Sequence, residues 1–367
     1  MRVHRSELVE GCILSSDVFS KSENPIIPKK TALTREHLEV LKAFNINSVN
    51  VESVLANGQP YKPGLEHTSD TLTDSEGWEL ESGDPQYTSK YFKAVKQFEN
   101  YFKAWQKGES VNFIVIKAML DPLIHTFIEE PKRALNLYHY SQEDEYLYHH
   151  AIYVGLLSAI LANKMKYETS QVYDIALSGL LADAGMAKLP PRLLQKPMGL
   201  NDAEVKQIRQ HPVFSYQMLK AQKEMKADVL LGVLQHHERE DGSGYPLGIK
   251  GEQLHPYSKI IALADSFHAM ICERPYRPKQ PLYKVLEILK KEQFGKFDPQ
   301  VLNSLYDLAI FHSLGTKVRL TNNEIGEIIF VDKLNPTRPI LKMRNEQTLS
   351  LMDYPSLFID DLVQIQA

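Results

Sequence analysis

Cysteine is almost missing from this chain of 367 residues, in which only Cys12 and Cys272 occur, far apart in the sequence. Two such residues support neither a disulfide framework nor a zinc site built on thiolates, and they suit a reducing compartment. The sequence has no run of about 18 apolar residues that could cross a bilayer, and residues 1–5 lack the apolar stretch of a signal peptide. We therefore expect a soluble protein of the cytoplasm without a membrane span.

An excess of positive charge is lacking as well. The chain has 42 lysines and arginines against 46 aspartates and glutamates, which gives a formal net charge of -4. This balance argues against a general DNA- or RNA-binding protein, because such a protein needs a basic surface. A phosphate ligand would have to be held by local basic residues.

Four segments of the chain differ in pattern. Residues 1–55 combine short apolar stretches with a helix that Thr34 can cap, which predicts a small α+β accessory domain. Residues 56–90 are rich in Gly, Pro, Ser, Thr and acids, as is typical of a linker. Residues 91–312 predict helices, and residues 313–367 alternate in polarity between turn signals, as in a C-terminal antiparallel β module. The predicted fold class is mainly α, a helical bundle flanked by two small units.

The helices of the central segment are predicted from apolar periodicity and from breaks at proline. They cover residues 111–129, 145–166, 170–182, 202–219, 227–238, 259–271 and 282–291. An aromatic stripe from Tyr91 to Trp105 precedes them. The stripe indicates either a helix packed on the core or a helix that pairs with its copy in a homodimer, and the sequence leaves both open.

The most informative stretch runs from Gln235 to Pro246 and reads Gln-His-His-Glu-Arg-Glu-Asp-Gly-Ser-Gly-Tyr-Pro. Two adjacent histidines follow an apolar helix and bring two neutral imidazoles into one small volume, which suits metal binding. Gly242 and Gly244 indicate that the helix ends and that the backbone turns tightly, and the proline fixes the exit. A polar turn beside a histidine pair gives a metal site a rim for a substrate.

This stretch resembles the signature of the HD-GYP family, a branch of the HD phosphohydrolases, with the Gly-Tyr-Pro of residues 244–246 as the second half of the name. The resemblance extends back to about Ser110 and forward through Arg274-Pro-Tyr-Arg277 to the Phe-Asp-Pro of residues 297–299, more than half of the chain. Members of the family are typically dinuclear or trinuclear metal phosphodiesterases that linearise cyclic di-GMP. The resemblance therefore implies a helical HD-type bundle, a metal centre and cyclic di-GMP as the ligand.

The ligand motifs of the family fall on six residues of this chain, namely His150, Asp183, His211, His236, His237 and Asp265. By resemblance Asp183 bridges two ions and is the central catalytic residue, with the three later histidines on one ion and His150 and Asp265 on the other. Phosphodiester hydrolysis needs an activated water and charge neutralisation, which two neighbouring cations supply. The mixed shell suits one or two divalent ions of iron, manganese or zinc, and spacing does not choose among them.

The HD motif itself is degenerate. The family pattern His-Asp-X-Gly-Lys reads Ala-Asp-Ala-Gly-Met at residues 182–186, so the namesake histidine and a lysine expected to contact the substrate phosphate are both replaced. His268 stands where the family commonly has a second Asp, one helical turn after Asp265. It could act as a replacement ligand, or it could only line the pocket or pack against a neighbour. Tyr146, where some trinuclear relatives carry a glutamate, argues against a third ion.

Substrate contacts follow from the same resemblance. Arg274 and Arg277 form a basic hook that could bind phosphate bidentately or make a structural salt bridge. Beside Gly244, Tyr245 could stack on a guanine, hydrogen-bond a phosphate or only pack the turn. Two functions stay open, a cyclic di-GMP phosphodiesterase impaired by the losses at Ala182 and Met186, and a catalytically inactive sensor or scaffold. In either case the terminal domains could contact a signalling protein partner.

Overall fold

The computed structural model describes residues 2–5, 8–19, 25–43, 46, 48–56, 61, 85–141, 145–194, 199–272, 279–291, 295–310, 314–332 and 334–363. Backbone contacts divide the chain into two compact units, Met1–Asp74 and Ser75–Ala367. None of the helices in the described ranges combines the length and the apolar character needed to cross a membrane.

The first unit contains β1 (Arg2–His4), β2 (Cys12–Leu14), α1 (Arg35–Ala43) and β3 (Ser48–Leu55). Strand β3 lies in the middle and pairs antiparallel with both other strands. Thr34 begins α1 as predicted, because its hydroxyl accepts a hydrogen bond from the backbone amide of His37. Leu14, Leu41 and Val51 are fully buried in a small core. The prediction of a small α+β unit is confirmed.

The second unit begins with a bundle of helices. They are α2 (Pro85–Gln106), α3 (Phe113–Glu129), α4 (Pro131–Leu135), α5 (Tyr146–Lys164), α6 (Thr169–Leu181), α7 (Pro191–Leu194), α8 (Asp202–Ile208), α9 (His211–Lys220), α10 (Ala227–Gln235), α11 (Pro256–Ile271), α12 (Leu282–Lys291) and α13 (Pro299–Ala309). Helix α5 is buried along most of its length because α2, α3, α6 and α11 all pack against it. An apolar helix of this kind suits the centre of a bundle, so the predicted mainly α fold is confirmed.

The aromatic stripe of α2 faces the core of its own unit. Tyr91, Phe98, Phe102 and Trp105 are each at most 2% exposed. The hydroxyl group of Tyr91 also hydrogen-bonds Nδ1 of His149 on α5 over 2.8 Å. The stripe is therefore core packing, and it gives no support to the predicted homodimer.

The structure differs from the predicted helices in two instructive ways. The helix predicted over residues 202–219 is two helices that break at Arg209 and Gln210, with Pro212 in the first turn of the second. Helices α4, α7 and α13 were not predicted, and each begins with a proline. A proline tolerates the first helical turn because its missing N–H has no partner there. The predicted breaks at Pro131 and Pro191 are confirmed, and each of these prolines also begins a new helix.

The C-terminal part of the second unit is an antiparallel sheet, as predicted. Its strands are β4 (Lys317–Leu320), β5 (Ile325–Phe330), β6 (Ile340–Met343), β7 (Thr348–Ser350) and β8 (Ile359–Val363), in the order β7-β6-β5-β4-β8. The sequence did not predict β8. The core of this sheet includes Tyr283 of α12 and has Leu282 and Ile310 packed against it. At the other end of the second unit, helix α2 begins within the predicted linker of residues 56–90. The division at residues 55, 90 and 312 stays a prediction.

Arg338 joins the sheet to α12. Its guanidinium group forms a bidentate ion pair with Glu287. It also donates to main-chain carbonyls that line the turn between β7 and β8, at Leu351, Tyr354, Pro355 and Leu357. Because Arg338 is only 9% exposed, its donor groups depend on these acceptors rather than on water.

We expect the substitution Arg338→Met to lower the free energy of unfolding by about 3 kcal/mol or more, because it leaves Glu287 and several carbonyls without a donor. Urea unfolding followed by circular dichroism measures this. The control Lys342→Met removes an exposed ion pair with Glu346 and should change the stability by less than about 1 kcal/mol. Equal effects of the two substitutions would contradict the anchoring role.

Candidate metal centre

The six predicted ligand residues lie together in the structure and form two groups that share Asp183. His211, His236 and His237 complete the first group, and His150 and Asp265 complete the second. Within each group the ligand atoms lie within 4.8 Å of one another. The division is the one that the family resemblance implies, and the role of these side chains as ligands is a proposal developed below.

Two histidines of the first group, His211 and His236, are each fixed in one tautomer. Nδ1 of His211 donates to the carbonyl of Ile208 over 2.8 Å, and Nδ1 of His236 donates to the carbonyl of Val233 over 2.7 Å. The neutral imidazoles therefore carry no proton on Nε2. Oδ1 of Asp183 lies 3.0 Å from Nε2 of His211 and 3.6 Å from Nε2 of His236. Three lone pairs thus point into one small volume.

This arrangement fits a divalent ion. Oδ1 of Asp183 is buried and has no hydrogen-bond partner among the described residues, so its lone pairs are available to an ion. Donor atoms about 2.0 to 2.2 Å from one ion lie roughly 3.0 to 3.5 Å apart. The observed separations of 3.0 and 3.6 Å match that spacing. A set of imidazole and carboxylate donors suits iron, manganese or zinc.

The second group has one donor residue fewer. Nε2 of His150 lies 3.0 Å from Oδ1 of Asp265 and 3.6 Å from Oδ2 of Asp183. Oδ2 of Asp265 lies 3.6 Å from Nδ1 of His237, which links the two groups. Ala182 precedes Asp183 and offers no ligand atom. This group therefore has three protein members, including the shared carboxylate.

The electrostatics keep both carboxylates ionised. Burial alone would raise the pKa of Asp183, but the imidazoles of His211, His236 and His150 lower it well below its usual range. The pKa of Asp265 is lowered in the same way, since the effect of the surrounding histidines exceeds that of burial. Burial, with His236 and His211 nearby, holds the pKa of His237 well below its usual value. Anionic carboxylates and neutral imidazoles are the forms that bind a metal.

The turn that carries Asp183 is positioned by α9. The hydroxyl of Ser215 accepts a hydrogen bond from the amide of Gly185 and donates one to the carbonyl of Ala182, both over 2.7 Å. A Cβ atom on Gly185 would lie 2.2 Å from the carbonyl oxygen of His211 and 2.4 Å from the nitrogen of Ser215. Only glycine permits this approach, which brings Asp183 to His211. Sequence analysis missed Ser215, because no motif marked it.

The Gly-Tyr-Pro turn closes against the histidine pair in a similar way. A Cβ atom on Gly244 would lie 2.4 Å from both the carbonyl oxygen of His237 and Cα of Glu238. The buried carboxylate of Glu238 accepts hydrogen bonds from the amides of Leu247 and Gly248 over 2.6 and 3.1 Å. Gly244, predicted to contact the substrate, is thus required by backbone packing. Glu238 fixes the exit of the turn, a role that the sequence did not indicate.

Tyr245 packs against the metal centre. Its ring stacks on His237 with centroids 4.7 Å apart and an interplanar angle of 28°. The guanidinium group of Arg209 lies 5.1 Å from the centroid of the same ring. These contacts favour the prediction that Tyr245 packs the turn over the prediction that it stacks on a guanine. The other predicted substrate contacts, Arg274 and Arg277, lie outside the described residues.

A pocket of about 460 Å³ opens onto five of the six residues, and the fully buried His236 lies outside its lining. Tyr146 and Met186 line its wall, together with Leu289 of α12 and Phe297. Met186 brings a thioether to the place where the family resemblance leads us to expect a lysine. The pocket is therefore less basic than the resemblance implies.

His268 lies behind His150 rather than beside the carboxylates. Its Nδ1 is 2.9 Å from Nδ1 of His150, the nitrogen opposite to the one that approaches Asp265. Its Nε2 is 3.2 Å from Sγ of Cys272, and the side chain is fully buried. Among the described residues, neither group of ligand atoms includes His268. The geometry favours an orienting role for His268 over the predicted replacement of the missing ligand.

The sequence is similar to the HD domain and to bacterial cyclic dinucleotide phosphodiesterases. Residues 134–301 match the family model of the HD domain. A cyclic di-GMP phosphodiesterase of Pseudomonas aeruginosa is 30% identical over 230 residues, which are 62% of this chain and 55% of the relative. A 3'3'-cGAMP-specific phosphodiesterase of Vibrio cholerae is 33% identical over 165 residues, which are 44% of this chain and 37% of the relative.

The chain spans about half the length of the first curated relatives that it matches. A solved HDG"Y"P protein from Bdellovibrio bacteriovorus superposes with a TM-score of 0.48 and 16% identity, over 84% of this chain and 98% of that protein.

The substitution Gly185→Ala should abolish most metal binding, because the added methyl group meets backbone atoms and must push Asp183 away from His211. Metal per chain, measured by inductively coupled plasma mass spectrometry, tests this. Gly199→Ala is the matched control, since its Cβ would meet nothing within 4 Å. Full metal content in Gly185→Ala would show that the close approach is not needed.

We expect His268→Ala to weaken metal binding at the His150 group about 10- to 100-fold, because Nδ1 of His150 then keeps only one of its two hydrogen-bond partners, the hydroxyl of Tyr146. His268→Asn should restore much of the affinity, since its amide oxygen can occupy the place of the Nδ1 acceptor. Calorimetric titration with Mn²⁺ measures both variants. An equal and complete loss of one ion in the two variants would instead indicate that His268 is a ligand.

Proposed function

We propose that residues 134–301, which match the family model of the HD domain, form an HD domain of the HD-GYP type, that this chain is a metal-dependent phosphodiesterase, and that cyclic di-GMP is its substrate. The carrying observation is the pair of donor groups that share Asp183 at the floor of an open pocket. The relatives named for cyclic di-GMP and for 3'3'-cGAMP support a cyclic dinucleotide as the substrate class.

The residues of the two groups would hold one or two divalent ions. When bound, such ions activate a water molecule and neutralise charge that develops on the phosphate oxygens. Asp183 would serve both positions, because its two oxygens face different groups. His211 and His236 need lose no proton to bind, since their Nδ1 protons are already committed to main-chain carbonyls. The site is therefore organised for metal before any ligand arrives.

A second function, cyclic di-GMP binding without hydrolysis, is favoured by the residues beside Asp183. Ala182 leaves the second group with three members, and Met186 puts no charge in the pocket. The first group has four members and keeps its full set. A chain of this kind could retain one ion and act as a sensor or scaffold. The predicted cytoplasmic location, homodimer and signalling partner remain predictions from the sequence.

Incubation of the full chain with cyclic di-GMP and Mn²⁺ or Fe²⁺ under anaerobic conditions tests the proposal. We expect linear dinucleotide or GMP to accumulate, and we expect Asp183→Asn to reduce the rate by about three orders of magnitude, because both groups lose their shared donor. Chromatography of the nucleotides measures the rate. Asp307→Asn, at an exposed carboxylate, is the control and should keep the rate.

The two functions give different results in this assay. Hydrolysis that depends on Asp183 supports the phosphodiesterase. Calorimetric binding of cyclic di-GMP without product, at full metal content, would overturn the phosphodiesterase and support the sensor. Absence of both binding and hydrolysis would contradict cyclic di-GMP as the ligand.

A further inference from the structure

Arg239 follows the histidine pair and lines the pocket of the candidate metal centre. Its Nη1 donates to the carbonyls of His236 and Glu238 over 3.2 and 2.8 Å. Its Nη2 donates to the hydroxyl of Ser266 over 3.1 Å. The ring of Phe297 lies 5.1 Å from the guanidinium carbon. All of these partners are neutral, so they hold the cation in place without neutralising it.

The charge of Arg239 is unusual for a half-buried side chain. Arg239 forms no ion pair with any of the described residues, in contrast to Arg338. A guanidinium group has five N–H donors. Three are used, so one on Nε and one on Nη2 lack an acceptor in the described part of the chain.

Arg239 is also the single lysine or arginine among the described residues that line this pocket. The position that would carry a lysine in the family pattern is Met186, which contributes no charge. A partly desolvated cation with unused donors on a pocket wall is suited to an anion, and guanidinium groups match phosphate particularly well.

We propose that Arg239 binds a phosphate group of the substrate and so supplies the positive charge that Met186 does not. This inference rests on the proposed phosphodiesterase function, since it names a substrate contact of the same site. Inorganic phosphate shares the relevant chemistry and is a probe that does not depend on turnover. The guanidinium group recognises the phosphate in the same pocket that His237 and Asp265 line.

The backbone holds Arg239 at a fixed place for this task. Its carbonyl accepts a hydrogen bond from the amide of Gly242 over 2.8 Å. Its nitrogen lies 2.6 Å from the position of a Cβ on Gly244, so the turn presses closely on it. The competing explanation is structural, since the bonds to the carbonyls of His236 and Glu238 also stabilise the end of α10. A test must separate the two roles.

Calorimetric titration of the metal-loaded full chain with inorganic phosphate makes this separation. We expect Arg239→Gln to weaken phosphate binding about 10- to 100-fold, the range for losing hydrogen bonds to a charged group. Arg239→Lys should lose less, because it keeps the charge without the fork. Arg344→Gln removes an exposed arginine outside the pocket and is the matched control. Metal per chain and the melting temperature are recorded for each variant.

Weaker phosphate binding at unchanged metal content and melting temperature supports the inference. Unchanged affinity in Arg239→Gln would overturn it, as would a wild-type chain that does not bind phosphate. A parallel fall in metal content, melting temperature and affinity would assign Arg239 to the structure of the turn and also overturn it. Failure of the proposed function is separate, because hydrolysis of cyclic di-GMP by the wild-type chain is measured without reference to Arg239.

Discussion

The site depends on one carboxylate, Asp183, that is surrounded by imidazole nitrogens. Asp183 directs one oxygen at His211 and His236 and the other at His150. Taking this many polar groups out of water costs free energy, so packing of the surrounding helices must hold them together. Apolar side chains in the same place would make the fold more stable, but they could not bind an ion.

Two glycines allow this proximity, and each has a polar partner that locks it. Gly185 lets the turn after α6 approach α9, with Ser215 joined to both sides of the turn. Gly244 lets the Gly-Tyr-Pro turn approach the histidine pair, with Glu238 holding the exit. At both edges of the site, close contact between two backbone segments positions a turn, and hydrogen bonds from one side chain hold that turn in place. The arrangement of the ligand residues therefore also depends on side chains outside the motifs, such as Ser215.

Much of this arrangement was accessible from the sequence. The helical bundle follows from apolar periodicity, and the six clustered side chains follow from family motifs. Other features depended on contacts distant in sequence. The neighbouring sequence does not indicate that His268 contacts Nδ1 of His150, or that the hydrogen-bond acceptors around Arg239 are neutral. The helix breaks at Pro131 and Pro191 were predicted correctly, but the helices that begin there were not, because the dihedral angle of proline suits a helix start as well as a break.

Helix α12 belongs to two structures at once. Tyr283 near its start is buried in the core of the C-terminal sheet, Glu287 receives Arg338, and Leu289 lines the pocket. A chimaeric protein in which a different domain replaces the C-terminal sheet would therefore have an altered pocket wall. The replacement domain would need an arginine placed to pair with Glu287, as Arg338 does, and a core with room for the side chain of Tyr283. The C-terminal sheet and the pocket are thus linked physically through three side chains on a ten-residue helix.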